Sequence, residues 1–241
     1  MKYLKILIPI SILSLIFVID YYNKYYKPNT SFEDKSIFLY VMEDDSLAFK
    51  DSISKYIKSE KTFYKVAERL EYLQNKKTGR FKIAKDIGNN DIVNSLKFNN
   101  TPINVTFNNQ ERVENLAGRV SKQIYEDSTS LLSAFRDKKF LEDNNLNEQN
   151  VLSIFIPNSY NIYWNSTPED FRDRMLAEYN KFWNKDRSEK AKKLGLTKLE
   201  VISLASIVQI ESRRNDERPR VAGLYINRLK KNMRLQADPT V

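Results

Sequence analysis

Residues 197–212 read TKLEVISLASIVQIES, and this stretch governs how the chain is read. Thr197 and Glu200 have the T-x-x-E spacing of a capping box, in which a hydroxyl and a carboxylate each take a backbone N–H at a helix start. Val201, Ile202, Leu204, Ala205, Ile207, Val208 and Ile210 follow, broken only by Ser203, Ser206 and Gln209. A helix apolar nearly all round is expected to be buried. Glu211 closes it, three and four residues after Val208 and Ile207 and so on their face. Burial and the partial negative charge of a helix C-terminus both disfavour a carboxylate there, so the sequence predicts a raised pKa. A glutamate that keeps its proton near neutral pH suits general-acid work on a glycosidic bond. By spacing alone, the commoner case is an ordinary helix-end Glu211 paired with Arg213, Arg214 or Arg218. Asp216 reads as the N-cap of a following helix with Pro219 in its first turn, and Asp238 before Pro239 as a turn.

Composition narrows the chemistry. The chain has 241 residues, 41% hydrophobic and 29% charged, which is enough for two small domains. It has no Cys and no His. Disulfides, thiol nucleophiles, imidazole triads and the usual zinc sites are therefore excluded, and no metal or cofactor is called for. Carboxyl groups alone can cleave a glycosidic bond, so that chemistry survives. The net charge of +9 fits an anionic surface or polymer. No basic run with interleaved aromatics accompanies it, so nucleic acid is not expected as a partner.

The first 22 residues read as a membrane segment. From Ile6 to Ile19 only Ser11 and Ser14 are polar among apolar residues, and Lys2 and Lys5 precede the run. With its aromatic flanks the run reaches roughly the 20 residues that a membrane-spanning helix needs. No small-x-small site follows it, which favours an uncleaved signal anchor over a cleaved signal peptide. This places the bulk of the chain outside a single-pass inner-membrane anchor. Residues 23–35 read as a polar spacer.

Residues 36–109 read as a small α+β domain. Strands are predicted at Ser36–Met42, Arg80–Ala84 and Pro102–Phe107, and helices at Leu47–Ile57, Thr62–Leu73 and Asn89–Leu96. Residues 110–150 read as a helical connection, with helices at Gln110–Tyr125 and Ser128–Phe135 before a polar loop. Residues 151–241 form the last domain. A strand is predicted at Val151–Ile156, then a helix at Thr167–Trp183 with the stripe Phe171, Met175, Tyr179 and Phe182. A charged helical face follows at Lys185–Lys193. The fold class is α+β with a buried central helix carrying Glu211.

ASIVQIES together with ERPRVAGLYINRLKKNMRLQADPTV closely resembles the endolytic murein transglycosylases, the YceG-like family. Phe155-Ile156-Pro157-Asn158-Ser159-Tyr160 is similar to the family's F-x-P-[DN]-[ST]-Y stretch. Gly79–Asn100 looks like the region ahead of its catalytic part, described as LysM-like. The resemblance implies a membrane-anchored enzyme that cuts peptidoglycan glycan strands internally, at the β-1,4 link from N-acetylmuramic acid to N-acetylglucosamine. The product would end in 1,6-anhydro-muramic acid, and the cut could terminate strand elongation beside peptidoglycan synthases. Glu211 aligns with the family's catalytic Glu and is followed by Ser212. Tyr160, Ser212, Asn227, Gln236 and Asp238 are the candidates for contacting the sugar. Two departures stand out: Gln209 occupies a position where many members carry an acid, and members continue well past D-P-T-V, which implies a chain that stops short. From a different class, a non-catalytic peptidoglycan-binding scaffold is the alternative.

Overall fold

The structure, a computed structural model, describes residues 2–42 and 46–237, without the side chains of residues 2–8 and 46. Among the described residues the chain is mixed α+β, with helices α1 to α11 and two two-stranded sheets. It divides into two compact units: residues 1–105, 123–125 and 159–166, and residues 106–122, 126–158 and 167–241.

In the first unit, β1 (Ser36–Val41) pairs antiparallel with β2 (Gly79–Ala84), from Ser36 opposite Ala84 to Val41 opposite Gly79. Alternation puts Leu39, Val41, Phe81 and Ile83 inside. Between the strands lie α2 (Ser46–Ser54) and α3 (Glu60–Arg69), and α4 (Asn89–Phe98) follows. Phe63, Val66 and Ala67 of α3 meet Ile92, Val93 and Leu96 of α4 in one core. The two strands fall where the sequence predicts them, while α2 and α3 end three and four residues before the predicted Ile57 and Leu73.

The helix α1 runs Lys2–Tyr25. Its last turn is tied to this unit by two buried asparagines. Asn89 Nδ2 donates to the Lys24 carbonyl at 2.7 Å, and Asn29 Nδ2 donates to Asn89 Oδ1 at 2.6 Å. Gly88 makes that approach feasible, because a Cβ there would stand 2.6 Å from the Tyr25 carbonyl oxygen. Every large apolar side chain from Ile10 to Ile19 is more than half exposed. Among the described residues no helix is long and apolar enough to cross a membrane. The apolar run begins at Ile6, so its first residues lie among those whose side chains are outside the description.

β3 (Ile103–Phe107) pairs with β4 (Asn158–Ile162), and the chain passes from one unit to the other within these strands. β4 replaces the strand predicted at Val151–Ile156, which is a short 3-10 helix over Val151–Ile154. A run of six residues in which only Ser153 is polar does not reveal its own periodicity. Here Asn147 Oδ1 takes the N–H of both Gln149 and Asn150 and winds the chain into a turn. The period-two alternation lies further on, where Tyr160 and Ile162 are buried.

The second unit packs α5 (Val113–Val120) on α6 (Ser128–Phe135) and α6 on α8 (Pro168–Phe182), with α7 (Lys138–Asp143) between. Phe135 lies 4.6 Å from Phe155 and 6.0 Å from Phe171, ring centre to ring centre. The sequence predicts α5 through Tyr125, but it stops at Val120, and the Tyr125 N–H bonds the Trp164 carbonyl at 2.8 Å instead. Thr167 caps α8 as predicted. Phe171, Met175 and Tyr179 form the buried stripe, but Trp183 completes it, since Phe182 is 39% exposed. The charged α9 (Lys185–Leu194) ends at Gly195, whose φ of +74° suits a residue without Cβ.

Candidate functional site at the α10–α11 turn

α10 (Lys198–Glu211) begins as predicted. Thr197 Oγ1 accepts the Glu200 N–H at 3.2 Å, and Glu200 accepts the Thr197 N–H at 2.7 Å. The Thr197 backbone N–H, with its hydroxyl second, holds the Glu200 carboxyl below the usual range.

The expectation of a buried helix is overturned. Only Leu204 and Val208 are buried; Val201, Ile202 and Ile207 are half-buried, and Ile210 is 58% exposed. α10 packs mainly on α11 (Arg218–Lys230), with lesser contact to α9, so one stripe is covered and the rest of its apolar surface is not. Leu204, Val208 and Tyr225 form a small core, with Ile207, Val221, Ala222, Ile226 and Leu235 around it. Glu211 is exposed. The apolar surroundings expected to keep its proton in place are therefore missing from this structure.

Instead, Glu211 has a specific neighbour. Tyr225 of α11 is only 3% exposed, and its hydroxyl lies near enough to the Glu211 carboxylate to feel its charge. Burial first, then the charge of Glu211, push the phenol above its ordinary pKa. Tyr225 thus keeps its proton and can direct it at the carboxylate. The sequence reading overlooked Tyr225, although it is the sole aromatic residue between Lys198 and Lys230 and lies inside the stretch that carries the resemblance.

Ser212 is buried directly after Glu211. Its Oγ donates to Glu217 Oε2 at 3.0 Å and accepts the Arg214 N–H at 3.2 Å, while its carbonyl accepts from Arg218 Nε at 3.2 Å. Its side chain therefore shapes the turn between the helices. Asp216 is not the N-cap of α11; Glu217 holds that position, without a side-chain cap bond. The Arg214 guanidinium engages Asp216 at 2.8 Å and holds its carboxyl below the usual range. Pro219 lies in the first turn of α11, as predicted.

The remaining candidates are scattered. Asn227 is exposed on α11, two residues beyond Tyr225 and so on another face. Gln236 is exposed at a φ of +52°, in the segment that Arg228 secures by donating to the Leu235 carbonyl. Tyr160 is buried on β4 and belongs to the first unit. Asp238 lies outside the described residues. Of the predicted residues, Glu211 and Ser212 adjoin, and the structure adds Tyr225. No cluster of metal-ligating side chains occurs among the described residues.

Comparison with known proteins identifies the family and the fold. The model of the YceG-like family matches residues 46–241. An endolytic murein transglycosylase of Bacillus subtilis (strain 168) is 36% identical over 74 residues, which is 30% of this chain and 20% of that protein. Another of that name, from Streptococcus pneumoniae serotype 2 (strain D39), is 34% identical over 82 residues, 34% of this chain and 15% of its own. The matched stretch thus spans a fifth or less of these relatives' length. The crystal structure of a YceG-like protein from Listeria monocytogenes superposes with a TM-score of 0.51 at 20% identity, over 86% of this chain and 75% of that one, which is a likeness of fold.

Proposed function

The chain belongs to the YceG-like family, and from that premise we propose that it is a peptidoglycan lytic transglycosylase that cuts glycan strands internally. The observation that carries the proposal is the Glu211–Tyr225 pair within the segment that defines the resemblance. In the proposed reaction the Glu211 carboxyl protonates the glycosidic oxygen between N-acetylmuramic acid and N-acetylglucosamine, and the C1–O bond breaks. The muramic acid C6 hydroxyl attacks C1 and gives its proton back to the Glu211 carboxylate. A 1,6-anhydro end forms and the acid is restored. The nucleophile is intramolecular, so no second carboxylate is needed to activate water.

The exposure of Glu211 gives the substrate a part in making the acid. A strand lying over the α10–α11 turn excludes water from the carboxylate and strengthens every interaction around it. Tyr225 holds the carboxylate in one orientation meanwhile. Tyr225 is a positioning residue in this scheme, and Asn227 and Gln236 remain candidates for contacts along the strand. The first 22 residues serve as a membrane anchor in this proposal, supported by the helix Lys2–Tyr25 and by the exposed apolar side chains from Ile10 to Ile19. The α+β domain of residues 36–109, LysM-like by resemblance, would hold glycan near synthases on the outer face of the membrane.

The open position of Glu211 also favours a second reading, a scaffold that binds peptidoglycan without cutting it. Digestion of purified glycan strands followed by mass spectrometry separates the two. Anhydro-muramic ends support the transglycosylase, reducing ends point to a hydrolase, and retention on strands without new ends identifies the scaffold.

A further inference from the structure

A second feature of α10 lies on the side away from Glu211. A groove of about 430 Å³ runs between this helix and the loops around residues 107–110 and 149–157, all within the second unit. Six carboxamides line it: Asn108, Asn109, Gln110, Gln149, Asn150 and Gln209. Its remaining lining is apolar, aromatic or serine. No lining residue is ionisable, in a chain of 29% charged residues and net charge +9.

We propose that this groove binds a neutral N-acetylated glycan, as a subsite separate from the Glu211 turn. The proposal takes from the preceding section only that the ligand is a glycan. The absence of cations in the lining argues against a phosphate or a carboxylate as the ligand, since those recruit Arg or Lys. A carboxamide offers donor and acceptor together, which matches sugar hydroxyls and acetamido groups. Ile156, Pro157, Ile202 and Phe182 supply apolar surface for the C–H faces of sugar rings. The volume lies in the lower part of the range for small-molecule sites, and holds roughly one or two sugar rings.

Gln209 is the pivot. Its Oε1 accepts from Asn109 Nδ2, which leaves its own NH2 without a protein acceptor among the described residues. An acid at this position would bring the lining its one charge; the neutral Gln209 keeps it uncharged. At about 100° per residue, Gln209 and Glu211 stand roughly 200° apart around α10, so groove and carboxylate occupy different faces. A strand bound in the groove would therefore be held by one side of the helix that presents the acid from another.

The test is a titration of the isotope-labelled chain with chitotetraose, following side-chain amide resonances by NMR, with cellotetraose as the analogue that lacks acetamido groups. Shifts at Gln149, Asn150 and Gln209 with chitotetraose, at least tenfold weaker with cellotetraose, are the expected result. Ser206→Glu puts a charge into the groove and should weaken chitotetraose binding at least tenfold. Should that variant not fold, the wild-type amide map decides by itself. Equal response to both sugars, response only at the Glu211 turn, preference for an uncharged peptide, or no response overturns the proposal. Glycan cleavage without shifts in the groove sinks the subsite and leaves the lytic reading intact; shifts without cleavage do the reverse.

Discussion

The first unit and the α10–α11 pair show two ways of using apolar sequence. In the first, Phe63, Tyr72, Phe81, Ile83, Ile92 and Leu96 are wholly enclosed by helices and a sheet. In the second, a helix richer in apolar residues buries only Leu204 and Val208, and leans on its partner through Tyr225. The difference teaches that apolar content says how much a helix could bury, while its neighbours decide how much it does. It also bears on the proposed chemistry: the Glu211 carboxylate belongs to the thinly covered pair, where a long polymer could reach it.

The sharpest way to break this contrast is to cut into both cores. Phe63→Ala should lower stability by about 3–5 kcal/mol, as expected for a large enclosed aromatic. Leu204→Ala should cost about 2 kcal/mol, at the low end for such a truncation, because its surroundings are already partly open. Chemical denaturation reads both, and equal losses would erase the distinction. Next comes the link between the helices. Tyr225→Phe should keep the fold and the thermal midpoint within about 2 °C, since a hydroxyl beside an exposed carboxylate contributes little to stability. It should reduce the turnover of glycan strands roughly tenfold, an expected share of one hydrogen bond to a charged group. A variant with full turnover would show that Tyr225 only fills space.

The smallest effect concerns the start of α10. Thr197→Ala removes the helix cap and should cost about 1 kcal/mol by denaturation. Glu200 adds a pH signature. Its carboxyl lies below the usual range in the folded chain, so its contribution is present above the unfolded pKa and lost as pH falls through the folded one. Stability should thus decline on acidification through the range below the ordinary glutamate pKa, and Thr197→Ala should flatten that decline. An unchanged slope would mean that the box does not hold α10 in solution.

Several self-contained local signals are legible in the sequence, although the cap expected at Asp216 falls one residue later, at Glu217. The Thr197–Glu200 box, the Thr167 cap and the alternation in β1 and β2 each depend on residues a few positions apart. What fails either lies in a run without readable periodicity or depends on distant partners. Val151–Ile156 looked like a strand because its apolar run hid the turn set by Asn147. The burial of Glu211 is inferred from its own helix, whereas that helix packs chiefly on α11 and less on α9, and Glu211 stays exposed. Tyr225 was overlooked because its link to Glu211 bridges two helices and has no fixed spacing in sequence. The resemblance implies Glu211 as the proposed catalytic residue; the structure adds its neighbour Tyr225.

The most direct test of the account replaces one atom of that side chain. Glu211→Gln keeps the size of the residue and an acceptor for the Tyr225 hydroxyl, but it cannot give up and regain a proton. Strands incubated with this variant should show anhydro-muramic ends at least ~10³-fold more slowly than with the wild-type chain, within the range that general acid–base catalysis supplies. Anhydro ends released at the wild-type rate would contradict the assignment of Glu211 as the acid.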